Sequence, residues 1–193
     1  EGLHKRFGAT RALDGAGLCL RAGEIHALVG ENGAGKSTLI KLLTGVESPD
    51  AGTVTLDGRA IAPATPLDAQ REGISTVYQE VNLCPNLSLA ENLYAGRYPR
   101  RWGMIDWKRV RSEARALLAE LQLDLDVDRP LSAFPVAIQQ MVAIARALGV
   151  SARVLILYEP TSSLDQDEVQ QLFALMRRLR EQGMAILFVT HFL

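Results

Sequence analysis

A glycine-rich stretch between two apolar segments constrains this chain more than any other feature. It reads Gly30-Glu31-Asn32-Gly33-Ala34-Gly35-Lys36-Ser37-Thr38, which fits the pattern G-x-x-x-x-G-K-[ST]. An apolar run at 25–29 precedes it and an apolar-periodic segment at 39–43 follows it, which predicts a strand, a loop and a helix. Glycines allow backbone angles that a Cβ forbids, so successive N–H groups can turn toward phosphate oxygens. Lys36 would reach the β- and γ-phosphates and Ser37 would offer its hydroxyl to Mg²⁺. The stretch therefore predicts a nucleoside triphosphate site; a glycine-rich turn without a ligand is the alternative.

Composition indicates one domain and gives no sign of a nucleic-acid partner. A chain of 193 residues with 48% hydrophobic content can bury one sizeable core. Its formal net charge of -1 lacks the basic excess typical of nucleic-acid binding. One basic cluster lies between 97 and 115, and we expect a solvated helix face because Asp106 and Glu113 interrupt it. Its members are Arg97, Arg100, Arg101, Lys108, Arg109, Arg111 and Arg115.

Cysteines and hydropathy predict a soluble, cytoplasmic protein. Cys19 and Cys84 lie in apolar contexts without C-x-x-C spacing, so we expect reduced thiols in the core. No run approaches the roughly 20 apolar residues that cross a bilayer, so a membrane role has to come through a partner. The chain begins without methionine and stops just past an apolar run at 185–189, which predicts a fragment cut at both ends.

Apolar patterns predict an α/β core with a helical insertion. Short, nearly continuous apolar runs at 25–29, 154–157 and 185–189 are typical of parallel strands buried on both faces. Period-two alternation at 52–57 before Gly58 predicts an antiparallel strand and turn, and another strand is expected at 74–78.

From 85 to 149 the pattern becomes helical, with amphipathic segments at 107–121 and 138–148. We therefore expect a helical subdomain at 85–149, inserted in the core. A last helix is predicted over 166–182, opened by a capping box of Asp165 and Glu168 and closed by Gly183.

Four further elements follow the glycine-rich loop in a fixed order. Gln79 ends a strand, Glu159 ends the apolar strand 154–158, the segment 162–165 comes next, and Thr190-His191 ends the final strand. With the loop, this order resembles the nucleotide-binding domain of ABC transporters over essentially the whole chain. The resemblance implies one ABC ATP-binding domain at 1–193: a P-loop NTPase of α/β class with an antiparallel β part near 52–78 and the helical subdomain.

Several sequence segments narrow the resemblance to one group of ABC transporters. Residues 30–39, 77–80, 87–92 and 139–142 look like the first of two nucleotide-binding domains carried on one polypeptide by sugar importers. Two further phrases, at 134–140 and 189–193, look most like the galactofuranose type.

The resemblance also implies a role for each site residue. Phe7 would stack on adenine, Glu159 would act as the general base, and His191 would contact the γ-phosphate. Gln79 would touch Mg²⁺ or water and couple the nucleotide to the permease, so that Ser37 and Gln79 form the metal set. Asp165 would contact an opposing domain across the nucleotide.

Each role has a structural alternative. Phe7 could pack in the core, Glu159 could be a solvated carboxylate at a strand end, and His191 could be structural. Asp165 could serve as a helix N-cap. Trp102 and Trp107, which flank Gly103, could anchor a partner or pack within the subdomain.

Two positions depart from the family pattern. Tyr158 stands where the Walker B strand should carry the aspartate that holds Mg²⁺ through water, and a phenol has no charge at neutral pH. Mg²⁺ would then depend on Ser37, Gln79 and the phosphates. Phe134-Pro135-Val136-Ala137-Ile138 replaces the signature Leu-Ser-Gly-Gly-Gln. Pro135 supplies neither the hydroxyl nor the amide hydrogen of the serine.

The resemblance implies binding and hydrolysis of ATP with Mg²⁺ that drives a monosaccharide importer, galactofuranose being one candidate. Expected partners are a second ABC ATP-binding domain, transmembrane permease subunits and, indirectly, a periplasmic sugar-binding protein, with the chain peripheral at the cytoplasmic face of the inner membrane. One alternative is a catalytically impaired pseudo-ATPase module of the same importer class. Another is a soluble ABC ATPase acting on nucleic acid or ribosomes, which the near-neutral charge disfavours; no nucleic-acid partner is expected.

Overall fold

The strands and helices follow one another along the chain in a mixed α/β order. A computed structural model describes residues 1–78, 83–149 and 152–191. The strands are β1 Leu3–Phe7, β2 Thr10–Ala16, β3 Ile25–Val29, β4 Val54–Leu56, β5 Arg59–Ile61, β6 Ile74–Val77, β7 Arg100–Arg101, β8 Met104–Ile105, β9 Val154–Tyr158 and β10 Ala185–Thr190. The helices are α1 Lys36–Leu43, α2 Pro66–Glu72, α3 Leu89–Tyr94, α4 Trp107–Glu120, α5 Val136–Leu148 and α6 Gln166–Glu181. A 3-10 turn at Leu131–Ala133 lies before α5.

The central sheet is parallel and has the order β3-β10-β9-β6. In β9, Leu155, Ile156 and Leu157 are fully buried, which confirms the prediction of a strand covered on both faces. β10 is buried in the same way, but β3 is only partly covered and Val29 is 40% exposed. The expectation of full burial is wrong for β3, because it has a neighbour on one side only in the described sheet.

The antiparallel strands of the described residues form three separate hairpins, one of which, β7–β8, lies within 85–149. β4 and β5 pair around Asp57-Gly58, as the alternation at 52–57 predicts. A second hairpin joins β1 and β2, and the sequence pattern did not indicate it. β6, which the predicted antiparallel part at 52–78 included, instead pairs parallel with β9. Its side chains are mostly buried, so it belongs to the central layer.

Residues 85–149 hold three helices and the short hairpin of β7 and β8. α4 begins at its N-cap Asp106, which accepts a hydrogen bond from the Arg109 amide, and it buries Val110, Ala114 and Leu118. α3 packs against α4 and α5, and α5 packs against β6. The apolar side chains of these helices therefore share one core cluster with Leu155 and other residues of the sheet.

The last two helices end close to their predicted bounds. α5 begins at Val136, two residues before its predicted start, and its buried surface is wider than the predicted stripe because helices and the sheet contact it on several sides. α6 has the predicted capping box: Asp165 accepts from the Glu168 amide, and Glu168 accepts from the Asp165 amide. It ends at Glu181, and Gly183 has a φ of 90°.

The prediction of buried cysteines is wrong. Cys19 and Cys84 are both exposed free thiols. Cys19 lies in the connection between β2 and β3, and Cys84 lies between β6 and α3. Apolar neighbours in the sequence therefore did not mean that either thiol is buried. Across the part of the chain that the structure describes, no helix is both long and apolar enough to cross a bilayer.

Candidate functional site

The glycine-rich loop lies between β3 and α1, as predicted. Gly33 and Gly35 have φ values of 86° and 88°, in the left-handed region that favours glycine. A Cβ on Gly35 would lie 2.7 Å from the Ala12 carbonyl oxygen and 2.8 Å from Leu13 Cδ2. The hairpin of β1 and β2 therefore packs directly against the loop, and glycine is needed at 35 for both conformation and space.

Lys36 is folded over the loop that precedes it. Its side chain is buried, and Nζ donates to the carbonyl oxygen of Glu31 at 3.0 Å and to that of Gly30. The first turn of α1 contains no acidic residue, so the positive end of the helix dipole and the ammonium reinforce each other. The arrangement suits an anion, and phosphate oxygens would replace the two carbonyls as partners of Lys36.

Glu159 and His191 come together from the ends of neighbouring strands. Glu159 follows β9 and His191 follows β10, and the carboxyl ends of parallel strands meet at one edge of a sheet. His191 Nδ1 lies 2.7 Å from Glu159 Oε1. Thr190 Oγ1 lies 3.5 Å from Glu159 Oε2 and is buried. The structure thus groups the two predicted catalytic residues. Thr190 was noted in the sequence only as part of a strand-end motif.

The backbone of Glu159 is held in an unusual conformation. The φ of Glu159 is 50°. Glu159 is only 7% exposed, so its carboxylate is almost entirely inside the protein. The Glu159 amide donates to the Val189 carbonyl at 2.8 Å, and Ser162 Oγ donates to the Glu159 carbonyl at 3.2 Å. Such left-handed positions cost about 1–3 kcal/mol and concentrate at functional sites. The alternative of a solvated carboxylate at a strand end is therefore wrong.

Tyr158 connects the strand edge to the phosphate loop. Its phenol oxygen lies 2.7 Å from Ser37 Oγ, and either oxygen can be the donor. The Tyr78 ring lies 6.3 Å from the Tyr158 ring, centre to centre, at an interplanar angle of 45°. Tyr158 therefore links the phosphate loop to the end of β9, directly before Glu159.

The described residues do not fit a magnesium ion at this position. The Ser37 hydroxyl is bound to Tyr158, and the Glu159 carboxylate is bound to His191. Within 1–78, 83–149 and 152–191 no group of three or more His, Cys, Asp or Glu side chains could hold a metal ion. Gln79, predicted as a second ligand, lies outside the described residues. Mg²⁺ prefers several hard oxygen ligands, and among the described residues only the Ser37 hydroxyl and the engaged Glu159 carboxylate are near this position.

Phe7 is a surface residue at the end of the first hairpin. It is 44% exposed and pairs with Thr10 across the hairpin. Lys5 Nζ lies 5.3 Å from the centre of its ring. Core packing, the alternative for Phe7, is therefore wrong, and stacking on a base stays a prediction.

The segment before α5 lacks the polar groups of a signature sequence. Pro135 is exposed and stands at the N-cap position without a side-chain hydrogen bond. Val136 is 45% exposed, and the guanidinium of Arg129 lies 5.2 Å from the centre of the Phe134 ring. The segment thus presents apolar surface where the family signature has a serine hydroxyl.

Asp165 and Trp107 have structural contacts within the chain, whereas Trp102 has no such explanation. Asp165 is the N-cap of α6, so that alternative is confirmed, and its contact with an opposing domain stays a prediction. Trp107 packs against Tyr98 at 5.6 Å between ring centres. Trp102 is 90% exposed at the tip of the β7–β8 hairpin, so packing within the chain does not explain it.

Much of the basic cluster is engaged by other groups. Arg109 pairs with Glu113, and Arg111 and Arg115 pair with Asp128, across exposed surface, as a solvated helix face predicts. Arg97 differs because it donates to the carbonyl oxygens of Leu93 and Arg146. Burial lowers the pKa of the Arg97 guanidinium.

Comparison with known families agrees with this geometry. The family model for ABC transporters matches residues 13–162, which include the phosphate loop, Tyr158 and Glu159. The chain belongs to the ABC transporter family. Solved cassettes of the family have the same mixed α/β fold: the ADP conformation of an ATP-binding cassette of an ABC transporter superposes with a TM-score of 0.87 at 26% identity, covering 100% of this chain and 80% of that one.

Among curated relatives of this ABC domain are ATP-binding proteins of sugar importers. The galactofuranose transporter ATP-binding protein of Escherichia coli strain K12 is 56% identical over 193 residues. The fructose import ATP-binding protein of Bifidobacterium longum is 54% identical over 194 residues. A ribose import ATP-binding protein of Rubrobacter xylanophilus is 49% identical over 193 residues. Each match covers 100% of this chain, but the chain spans only 38–39% of the length of these relatives.

Proposed function

We propose that this ABC domain binds and hydrolyses ATP and thereby energises the import of a monosaccharide. The observation that carries the proposal is the contact between the phosphate loop and Tyr158, the residue directly before Glu159. Ser37 contacts Tyr158 at 2.7 Å, and the next residue, Glu159, lies 2.7 Å from His191. We place the terminal phosphate of a loop-bound triphosphate at this end of the sheet, where Glu159 and His191 lie.

Lys36, Glu159 and His191 would each have a separate part in this reaction. Lys36 would exchange its bonds to the Gly30 and Glu31 carbonyls for bonds to phosphate oxygens. Glu159 would accept a proton from water while the water oxygen attacks the γ-phosphorus, and ADP would leave with the electron pair of the broken P–O bond. His191, which holds the carboxylate, would release it and contact the γ-phosphate.

Binding and coupling residues complete the proposal. The exposed ring of Phe7 would stack on the adenine, a contact that suits a planar side chain. Gln79 would sense the nucleotide and pass its state to the permease, with 85–149 acting as the helical subdomain. Magnesium is the usual ion of ABC ATPases, and the described residues offer it only the Ser37 hydroxyl and the phosphates.

The relatives support a sugar importer but leave the sugar open. Identities of 56% to a galactofuranose protein, 54% to a fructose protein and 49% to a ribose protein are too close to one another to select a substrate. Expected partners are a second ABC domain, transmembrane permease subunits and, through them, a periplasmic sugar-binding protein. The domain would be held at the cytoplasmic face of the membrane by the permease.

Two departures favour a second candidate, a nucleotide-binding module of the same importer with impaired turnover. Tyr158 replaces a metal-holding carboxylate, and Pro135 replaces the hydroxyl that would face the nucleotide of a partner domain. In an importer with two unequal sites, such a module would close on ATP while its partner carries the turnover.

Paired lysine variants and one carboxylate variant test the proposal. Lys36→Ala should abolish ATP binding measured by calorimetry, whereas Lys41→Ala, on the exposed side of the same helix, should leave it intact. Glu159→Gln should keep ATP binding and slow phosphate release by about 10²–10⁴-fold, the usual contribution of a general base. Equal binding by both lysine variants would refute the site. Unchanged phosphate release in Glu159→Gln would refute the role of Glu159.

A further inference from the structure

We infer that Tyr158 makes nucleotide binding at this site independent of divalent metal, because its phenol occupies the position on Ser37 that the ion would take. The inference rests on the proposed function, since it concerns the ATP site formed by the phosphate loop. It goes further by stating which form of the nucleotide this site accepts: the free ATP anion as well as its magnesium complex.

The first support is the contact between the two hydroxyls. Mg²⁺ binds its ligands at 2.0–2.1 Å in near-ideal octahedral geometry, which keeps neighbouring ligand oxygens about 3 Å apart. Ser37 Oγ and the Tyr158 phenol oxygen are 2.7 Å apart with a hydrogen between them. The ion would have to break this hydrogen bond and displace the phenol before it could bind Ser37.

The second support is that the tyrosine is held in place. It ends β9 and pairs in register with Val189 of β10. Its ring lies beside that of Tyr78 and is packed against the cluster formed by Ile156 and Val189. Moving the ring away from Ser37 would therefore disturb packing at the end of the sheet as well as the hydrogen bond.

The third support is the charge that surrounds the loop. The carboxylate beside Tyr158 belongs to Glu159, whose oxygen is engaged by His191 at 2.7 Å. No acidic residue lies in the first turn of α1, and Lys36 points back across the loop. A phosphate group there meets an ammonium and the positive end of a helix, which favour an anion without help from a metal ion.

Calorimetric titration of ATP into the folded chain, in excess EDTA and in excess Mg²⁺, tests the inference. Three forms are compared: the natural chain, Tyr158→Asp and Tyr158→Phe. In the natural chain the two dissociation constants should agree within about twofold. Tyr158→Asp should bind about 10–100-fold more tightly with Mg²⁺ than without, the range by which residues that support a metal through its outer shell change its affinity. Tyr158→Phe keeps the ring but removes the hydroxyl bound to Ser37, so it should gain less from Mg²⁺ than Tyr158→Asp does.

A second readout follows the ion itself. Electron paramagnetic resonance of Mn²⁺ added with ATP should show protein-immobilised ion with Tyr158→Asp and not with the natural chain. Circular dichroism checks that each form is folded. If Tyr158→Asp does not fold, the natural chain still decides the question, because immobilised Mn²⁺ in the natural chain overturns the inference.

The outcomes separate the inference from the proposed function. If the natural chain binds ATP and gains as much from Mg²⁺ as Tyr158→Asp does, the inference is wrong and the ATP site stands. If Tyr158→Asp and Tyr158→Phe both stay as insensitive to Mg²⁺ as the natural chain, the phenol does not exclude the ion and the inference is again wrong. If no folded form binds ATP with or without metal, the proposed function fails and the inference fails with it.

Discussion

Replacing Gly35 with alanine tests how tightly the first hairpin holds the phosphate loop. Two costs arise at this position. The backbone is left-handed, with a φ of 88°, which costs an L-residue about 1–2 kcal/mol. The new Cβ would also lie 2.7 Å from the Ala12 carbonyl oxygen and 2.8 Å from Leu13 Cδ2, and overpacking of this kind costs about 1–3 kcal/mol. The expected loss in the free energy of unfolding is therefore about 2–5 kcal/mol.

Gly33→Ala is the matched control. Gly33 has a φ of 86°, but a Cβ there would meet nothing within 4 Å. Both variants carry the same conformational cost, and both lose the same entropy from the unfolded chain. Their difference therefore isolates the contact with the hairpin, at about 1–3 kcal/mol.

Urea unfolding of both variants, followed by circular dichroism without nucleotide, measures the difference. Thermal unfolding of the same two variants gives a second measure. For a chain of this size, each kcal/mol corresponds to about 2–4 °C in Tm, so Gly35→Ala should melt roughly 2–12 °C below Gly33→Ala. The slope of unfolding free energy against urea should be unchanged, as expected for a folded state of the same compactness. Equal midpoints for the two variants would refute the reasoning, since they would mean that β1 and β2 do not press on the loop.

Two further variants test a binding role and a helix cap. Phe7→Ala should weaken ATP binding by about 1–3 kcal/mol, the usual value of base stacking, and should leave the free energy of unfolding almost unchanged because Phe7 is exposed. Trp102→Ala is the control. Equal ATP affinities of the two variants by calorimetry would show that Phe7 is not part of the site. Asp165→Ala should lower the unfolding free energy by about 0.5–2 kcal/mol through loss of the N-cap, measured by urea unfolding against Asp167→Ala, an acidic residue of the same first turn that makes no cap. A larger loss in the Asp167 variant would contradict the cap assignment.

Local patterns in the chain predicted much of this fold. The continuous apolar run at 154–157 indicated a buried strand, and it lies in β9. The spacing of Asp165 and Glu168 indicated a helix start, and both hydrogen bonds of the capping box are present. These signals succeed because they depend on residues a few positions apart, whose preferences determine the local backbone conformation.

Patterns that depend on distant partners were less informative. The sequence predicts strand β6 as part of the antiparallel region at 52–78, which it follows in the chain. In the structure it pairs in parallel with β9 instead. Cys19 and Cys84 have apolar neighbours in sequence, and both are exposed. Burial is set by which elements cover a residue, so local hydropathy misjudged these positions.

The candidate site shows the same division. The glycines at 33 and 35 and the lysine after them follow from the sequence alone, since a left-handed turn leading into a helix is a local conformation. The sequence also marked Tyr158, Glu159 and His191 as residues at strand ends. It did not show that Glu159 is buried against His191 or that Tyr158 binds Ser37, which lies 121 positions away in the chain. Those contacts exist because β3, β10 and β9 are adjacent and parallel, which places their carboxyl ends at one edge of the sheet. Strand order is decided by the packing of the whole core, and only the tertiary structure contains it.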